Sequence, residues 1–179
     1  MSLLKFLGFG SGVAGAPAPD PGAEAIETLR KIVGALERMD PAQARHVAAF
    51  AFILSRVANA DLKISEEETR AIERAVMAWG HLPEEQAILV VQIAKHQNVL
   101  FGGTDNFIVT REFNQSATRA QKEELLHCLF AVSAADESIS AAEEATISQI
   151  AKELGFSHQE HVTIRGAYRD KRAVLKDLP

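Results

Sequence analysis

An all-α fold is predicted for this chain by three observations: apolar residues recur at helical spacing from Ala23 onward, Ser, Thr or Asp recurs where a helix would start, and the stretch 51–80 returns at 126–155. No segment alternates apolar and polar residues with β-branched enrichment, so no sheet is expected. The expected architecture is a single-domain helical bundle of about eight helices, made of two four-helix repeats related by a pseudo-twofold axis. Repeat 1 covers about 23–98 and repeat 2 about 99–173, within a domain spanning 23–179.

Taken in order, residues 1–22 stand apart from that domain. Leu3, Leu4, Phe6, Leu7 and Phe9 form a short apolar segment, and residues 8–22 hold five Gly and three Pro among small residues, the composition of a linker. Helices are expected near 23–38, 41–60, 65–79, 83–98, 104–113, 118–135, 140–154 and 158–172. Asp40-Pro41 places an acceptor at one N-cap and Pro at the first helical position. Ser65 with Glu68, Thr118 with Gln121, Ser140 with Glu143 and Ser157 with Glu160 read as capping boxes, in which the cap hydroxyl takes the N3 amide and the N3 side chain returns to the cap amide. The helices 41–60 and 118–135 are apolar around most of their circumference, and are expected to be a central pair burying one another. Ile72, Val76 and Trp79 form an apolar stripe, matched by Ile147, Ala151 and Leu154.

The repeat has an offset of 75 residues. Nine of thirty positions are identical between 51–80 and 126–155, among them Leu54/Leu129, Asp61/Asp136, Ile64/Ile139, Ser65/Ser140, Glu68/Glu143 and Gly80/Gly155. Composition alone gives roughly two such identities.

Composition bounds the function. A chain of 179 residues that is 47% hydrophobic builds a sizeable core without staples. The net charge of −5 argues against a broad nucleic-acid surface. Cys128, inside the apolar run Leu125-Leu126-His127-Cys128-Leu129-Phe130, reads as a core residue rather than a redox thiol. The basic residues Arg165, Arg169, Lys171, Arg172 and Lys176 complement helix ends or meet an acidic surface. No window offers the ~20 apolar residues of a membrane span, and the N-terminal segment is too brief for a signal peptide. A cytoplasmic location follows, with residues 1–9 able to rest on the inner face of a membrane.

The chemistry concentrates in the repeated turn, Ala-Asp61-Leu-Lys-Ile64-Ser65-Glu-Glu-Glu68 and Ala-Asp136-Glu-Ser-Ile139-Ser140-Ala-Ala-Glu143. Seven residues across a tight bend allow the Asp and Glu carboxylates to approach, and a pseudo-twofold would gather Asp61, Glu68, Asp136 and Glu143. Four carboxylates in one place repel unless protonated or neutralised, so a hard divalent cation such as Ca²⁺, Mg²⁺ or Mn²⁺ suits them. The plainer reading makes both Asp residues turn acceptors and both Glu residues members of capping boxes, each worth about 1 kcal/mol. The spacing is not that of an EF-hand loop.

The pattern Ala-Asp-x-x-Ile-Ser-x-x-Glu, preceded by an apolar helix and followed by an Ile-containing helix that ends in Gly, resembles the TerB-like family, named for the tellurite-resistance protein TerB. Over about residues 25–170 the resemblance implies an all-α fold, an association with tellurite and other stress resistance, and acidic metal-binding positions at Asp61, Glu68, Asp136 and Glu143. It also implies protein partners near the membrane, and no established enzymatic activity. Where the family usually has Gly after the Asp, this chain has Leu62 and Glu137, which lack the freedom of Gly at a helix end. No His-Pro-Asp tripeptide is present, so the J-domain function found beside some TerB-like segments is excluded for this chain. The alternative function is a structural module for protein or membrane contact, with the acidic turns acting only as caps.

Other candidates are weaker. His158 and His161 are spaced for zinc but have no third ligand nearby, and read as a solvated helix start. His46, His81, His96 and His127 are scattered, with His127 at the edge of the core by its alignment with Phe52. Gly102-Gly103 is a helix stop, because no Lys-Ser or Lys-Thr follows it to make a phosphate cradle. No Gly-x-Ser-x-Gly or related nucleophile signature occurs.

Overall fold

The computed structural model describes residues 21–57, 66–96, 106–136 and 138–171. Among them stand eight α-helices and no β-strand: α1 (Pro21–Glu37), α2 (Pro41–Val57), α3 (Glu66–Gly80), α4 (Glu84–Lys95), α5 (Asn106–Ser116), α6 (Arg119–Ser133), α7 (Ala141–Glu153) and α8 (His158–Gly166). Two short 3-10 turns, Ala134–Asp136 and Arg169–Lys171, complete the order.

Local chemistry starts these helices where the caps indicated. Asp40 Oδ1 accepts from the amides of Ala42 at 2.9 Å and Gln43 at 3.3 Å. Thr118, Ser140 and Ser157 each form a complete capping box, with Gln121, Glu143 and Glu160 respectively. The box expected at Ser65 and Glu68 lies outside the described residues.

A helix that is apolar on every side has to be surrounded. Helix α2 buries ten residues, from Ala44 to Val57, under α4 on one side and α5 on another, with α7 and α1 in lesser contact. Helix α6 buries Leu125, Leu126, Cys128, Leu129, Phe130, Val132 and Ser133, chiefly against α3. Both are central, as their composition required. Their mutual contact is small, however, so the expected central pair is corrected: each is wrapped mainly by other helices. The layout is also unequal under the 75-residue offset, since α3 packs on α6 far more extensively than α7 packs on α2.

The paired glycines show how one residue type serves two geometries. Gly155 takes φ +79° just past the end of α7, the left-handed position that favours Gly. Gly80 instead sits inside the last turn of α3, where an added Cβ would stand 3.0 Å from Phe50 Cζ. Helix α3 therefore runs two residues further than α7 under the 75-residue offset, and the left-handed position falls one later, on His81, at φ +49°. Trp79 departs from its expected core stripe: it is 44% exposed, while Ile72 and Val76 are buried.

Candidate functional site

The second acidic turn is held from both sides. Chain leaves α6 through the 3-10 turn Ala134–Asp136, and Ile139 then drops fully into the core, as its place in the motif required. Its amide donates to the Lys171 carbonyl at 2.7 Å, tying the turn to the C-terminal 3-10 segment. Ser140 next opens α7: its Oγ accepts from Glu143 N at 3.2 Å, and Glu143 Oε2 accepts from Ser140 N at 2.8 Å. One carboxylate oxygen of Glu143 is thus engaged in capping. Beside it, Glu144 Oε1 accepts from Arg165 Nη1 at 2.9 Å, the partner found for one of the C-terminal basic residues.

Of the other three acidic candidates, Asp61 lies outside the described residues; Glu68 and Asp136 have described backbones, in α3 and in the first 3-10 turn, and undescribed side chains. The mutual approach of the two turns therefore lies outside the described residues as well. Among the described residues no group of three or more His, Cys, Asp or Glu side chains is placed to hold a metal ion.

Sequence reasoning passed over a polar cleft of about 480 Å³ between α2, the connector after α3, and α6. His46 from α2, His81 from the connector and Glu124 from α6 line it, with the amides of Gln43, Gln86 and Gln121 and the hydroxyl of Ser116. His81 Nε2 stands 4.0 Å from Glu124 Oε1. The ring of His46 packs on Phe113 at 5.1 Å between centroids, and burial holds its pKa below the usual 6.5 even though Glu124 pulls it upward. No motif announced this cleft, because its residues are gathered from α2, the α3–α4 connector, α4, α5 and α6.

An aromatic cluster lies where α3, α6 and α8 converge. Trp79 stacks on His127 at 5.3 Å, and Phe130 stacks on both Tyr168 and His161. Tyr168 Oη donates to the His127 carbonyl at 3.0 Å. The 3.2 Å contact between Oη and His127 Nδ1 then requires Nδ1–H as donor, which fixes the tautomer of the neutral ring. Burial lowers the His127 pKa and pushes the Tyr168 hydroxyl up to about 12, so neither ionises at neutral pH. His161, expected in solvent, is only 5% exposed, because it faces inward onto Phe130 rather than outward beside the exposed His158. Cys128 is the core residue anticipated, its thiol pushed up to about 12 by burial.

Among the described residues no helix is long and apolar enough to cross a membrane. No curated protein and no solved structure matches the chain. Residues 46–166 match the family described as tellurite resistance protein TerB, a span that takes in both acidic turns and most of the all-helical domain built around them. The chain is a member of the TerB family.

Proposed function

We propose that this chain is a non-enzymatic module of tellurite and stress resistance, which holds a divalent cation of the Ca²⁺, Mg²⁺ or Mn²⁺ class at Asp61, Glu68, Asp136 and Glu143 and acts through protein partners. The family match carries this reading, because it spans both copies of the acidic turn. The donor set is all oxygen and anionic, the kind hard cations prefer. At the described turn, the buried Ile139 and the Ser140 cap hold Glu143 at the start of a helix, where little ordering is left for a cation to impose. A cytoplasmic site of action, with residues 1–9 against the inner membrane face, belongs to the same proposal.

Calorimetric titration of the full chain with Ca²⁺ and Mn²⁺ tests the cation. Saturable binding is expected, and it should be lost in the double variant Asp61→Asn, Asp136→Asn. Titration curves that coincide for the two proteins, or an absence of heat, would refute the cation site.

A second reading is favoured by one observation, the engagement of Glu143 Oε2 with the Ser140 amide. In that reading the turns only cap helices and the module works purely by contact. Its membrane branch expects the full chain to co-sediment with anionic liposomes and a chain lacking residues 1–22 to remain in the supernatant. Equal sedimentation of the two would exclude that branch.

A further inference from the structure

His81 occupies a backbone conformation that costs an L-residue free energy, at the mouth of the cleft of about 480 Å³ between α2 and α6. Its φ of +49° is left-handed, and the corresponding bend after α7 uses Gly155 at φ +79°. Glycine adopts that conformation without the Cβ clash an L-residue suffers. A strained side chain kept at a concave site is a pointer to function. Close packing of Gly80 on Phe50 moves the left-handed position to residue 81 but does not call for an imidazole there: the His81 side chain is 68% exposed, with Nε2 4.0 Å from Glu124 Oε1.

The cleft's electrostatics then select a ligand. Among the described residues no Lys or Arg side chain lines it, and Glu124 is the one carboxylate. His46 is neutral at pH 7, because burial disfavours its charged form. Gln121 already accepts from the Thr118 amide through Oε1, which leaves its NH₂ for the cleft. Gln43 and Gln86 contribute further amides. An anion would find no Lys or Arg among those residues to receive it. A protonated amine or guanidinium would find a carboxylate, imidazole nitrogen as acceptor, and side-chain amides for a polar group at its other end.

We propose that the cleft bounded by His46, His81 and Glu124 binds a small organic cation, a primary amine or guanidine on a short chain with a second polar group at its other end. The site uses none of the four acidic-turn residues, so it stands or falls apart from the metal reading. Glu124 holds the cationic head, and His81 closes the mouth beside it.

The experiment is an NMR titration of the ¹⁵N-labelled full chain with agmatine, with succinate and 1,4-butanediol as anionic and neutral controls of similar length. The readout is the shift of the His81 and Leu82 amides and of the Gln43, Gln86 and Gln121 side-chain amides. Saturable shifts are expected with agmatine alone. Glu124→Gln should weaken binding roughly tenfold or more, the loss expected for a charge-assisted hydrogen bond, without lowering Tm. His81→Gly should raise Tm while weakening agmatine binding, separating folding from recognition. Absence of saturation with agmatine, an equal response to succinate or butanediol, or unchanged affinity in Glu124→Gln would each overturn the site. Undiminished affinity in His81→Gly would overturn the role of its side chain.

Discussion

His161 sits in the first turn of α8 with its ring against Phe130 and its Nε2 buried without a hydrogen-bond partner. Desolvation lowers its pKa, nearby Arg165, His158 and Lys152 disfavour the proton further, and Glu144 opposes them. On unfolding the ring regains its ordinary value of 6.5, so in the interval below 6.5 the unfolded chain binds the proton first. Its contribution to stability is therefore complete above 6.5 and declines as pH falls toward the lower folded value. His46 and His127, shifted the same way by burial, add to the effect. The variant His161→Phe keeps a flat ring on Phe130 and removes both the proton and the unsatisfied nitrogen. Urea midpoints at pH 5 and pH 7 should lie closer together in the variant than in the parent, with the variant more stable at pH 5. An unchanged pH difference would show that His161 does not titrate in this window.

Among elements, α2, α5 and α7 are joined by a polar contact set in apolar surroundings. Arg56 Nη1 donates to Glu153 Oε2 at 2.6 Å and to Thr110 Oγ1 at 2.7 Å, while Nη2 donates to Glu153 Oε1 at 3.2 Å. Both charged side chains are only 10% exposed. Burial pushes the Glu153 pKa up, yet the hydrogen bonds from Arg56 and Gln149 and the guanidinium charge outweigh it and leave the carboxyl below its ordinary range. Removing one member of such a pair strands the other, at a cost of about 3–5 kcal/mol, whereas replacing both with apolar groups is often near neutral. Arg56→Met alone should thus destabilise strongly by urea denaturation, and adding Glu153→Met should recover most of the loss. Equal stability of the single and double variants would show that the ion pair does not govern this junction. None of this was legible in the sequence. The partners are 97 positions apart, and under the repeat offset they fall on Ala131 and Ala78. The capping boxes at Thr118, Ser140 and Ser157 were legible because each depends on residues three apart. The acidic turn was legible as a motif because its Asp, Ile, Ser and Glu fall within eight consecutive positions. The cleft of His46, His81 and Glu124 was not, since chain folding alone assembles it. His81 was doubly hidden: the glycine before it suggested that the helix would stop one residue sooner.

At the scale of the whole molecule, the two halves share surfaces rather than standing side by side. Helix α3 from the first half finds its most extensive partner in α6 of the second, and α2 is covered by α5 and α7. Fully exposing a buried Val, Leu, Ile or Phe side chain costs about 1.5–3 kcal/mol. Net domain stability is about 5–15 kcal/mol, so uncovering a handful of residues is enough to abolish folding. Residues 21–96 expressed alone should therefore show little cooperative unfolding in urea by circular dichroism. Mixing them with residues 106–171 should restore a single transition and a gain in helicity. A fragment 21–96 that unfolds cooperatively as a monomer would mean that each half closes its own core. Ile139 and Ser140, which recur in sequence as Ile64 and Ser65, answer to the local needs of a plug and a cap. Arg56 and Glu153, at the junction of the halves, answer to unequal neighbours, and the 75-residue offset sets Ala131 and Ala78 in their places, so the likeness that is dense around the acidic turns is absent at the buried ion pair.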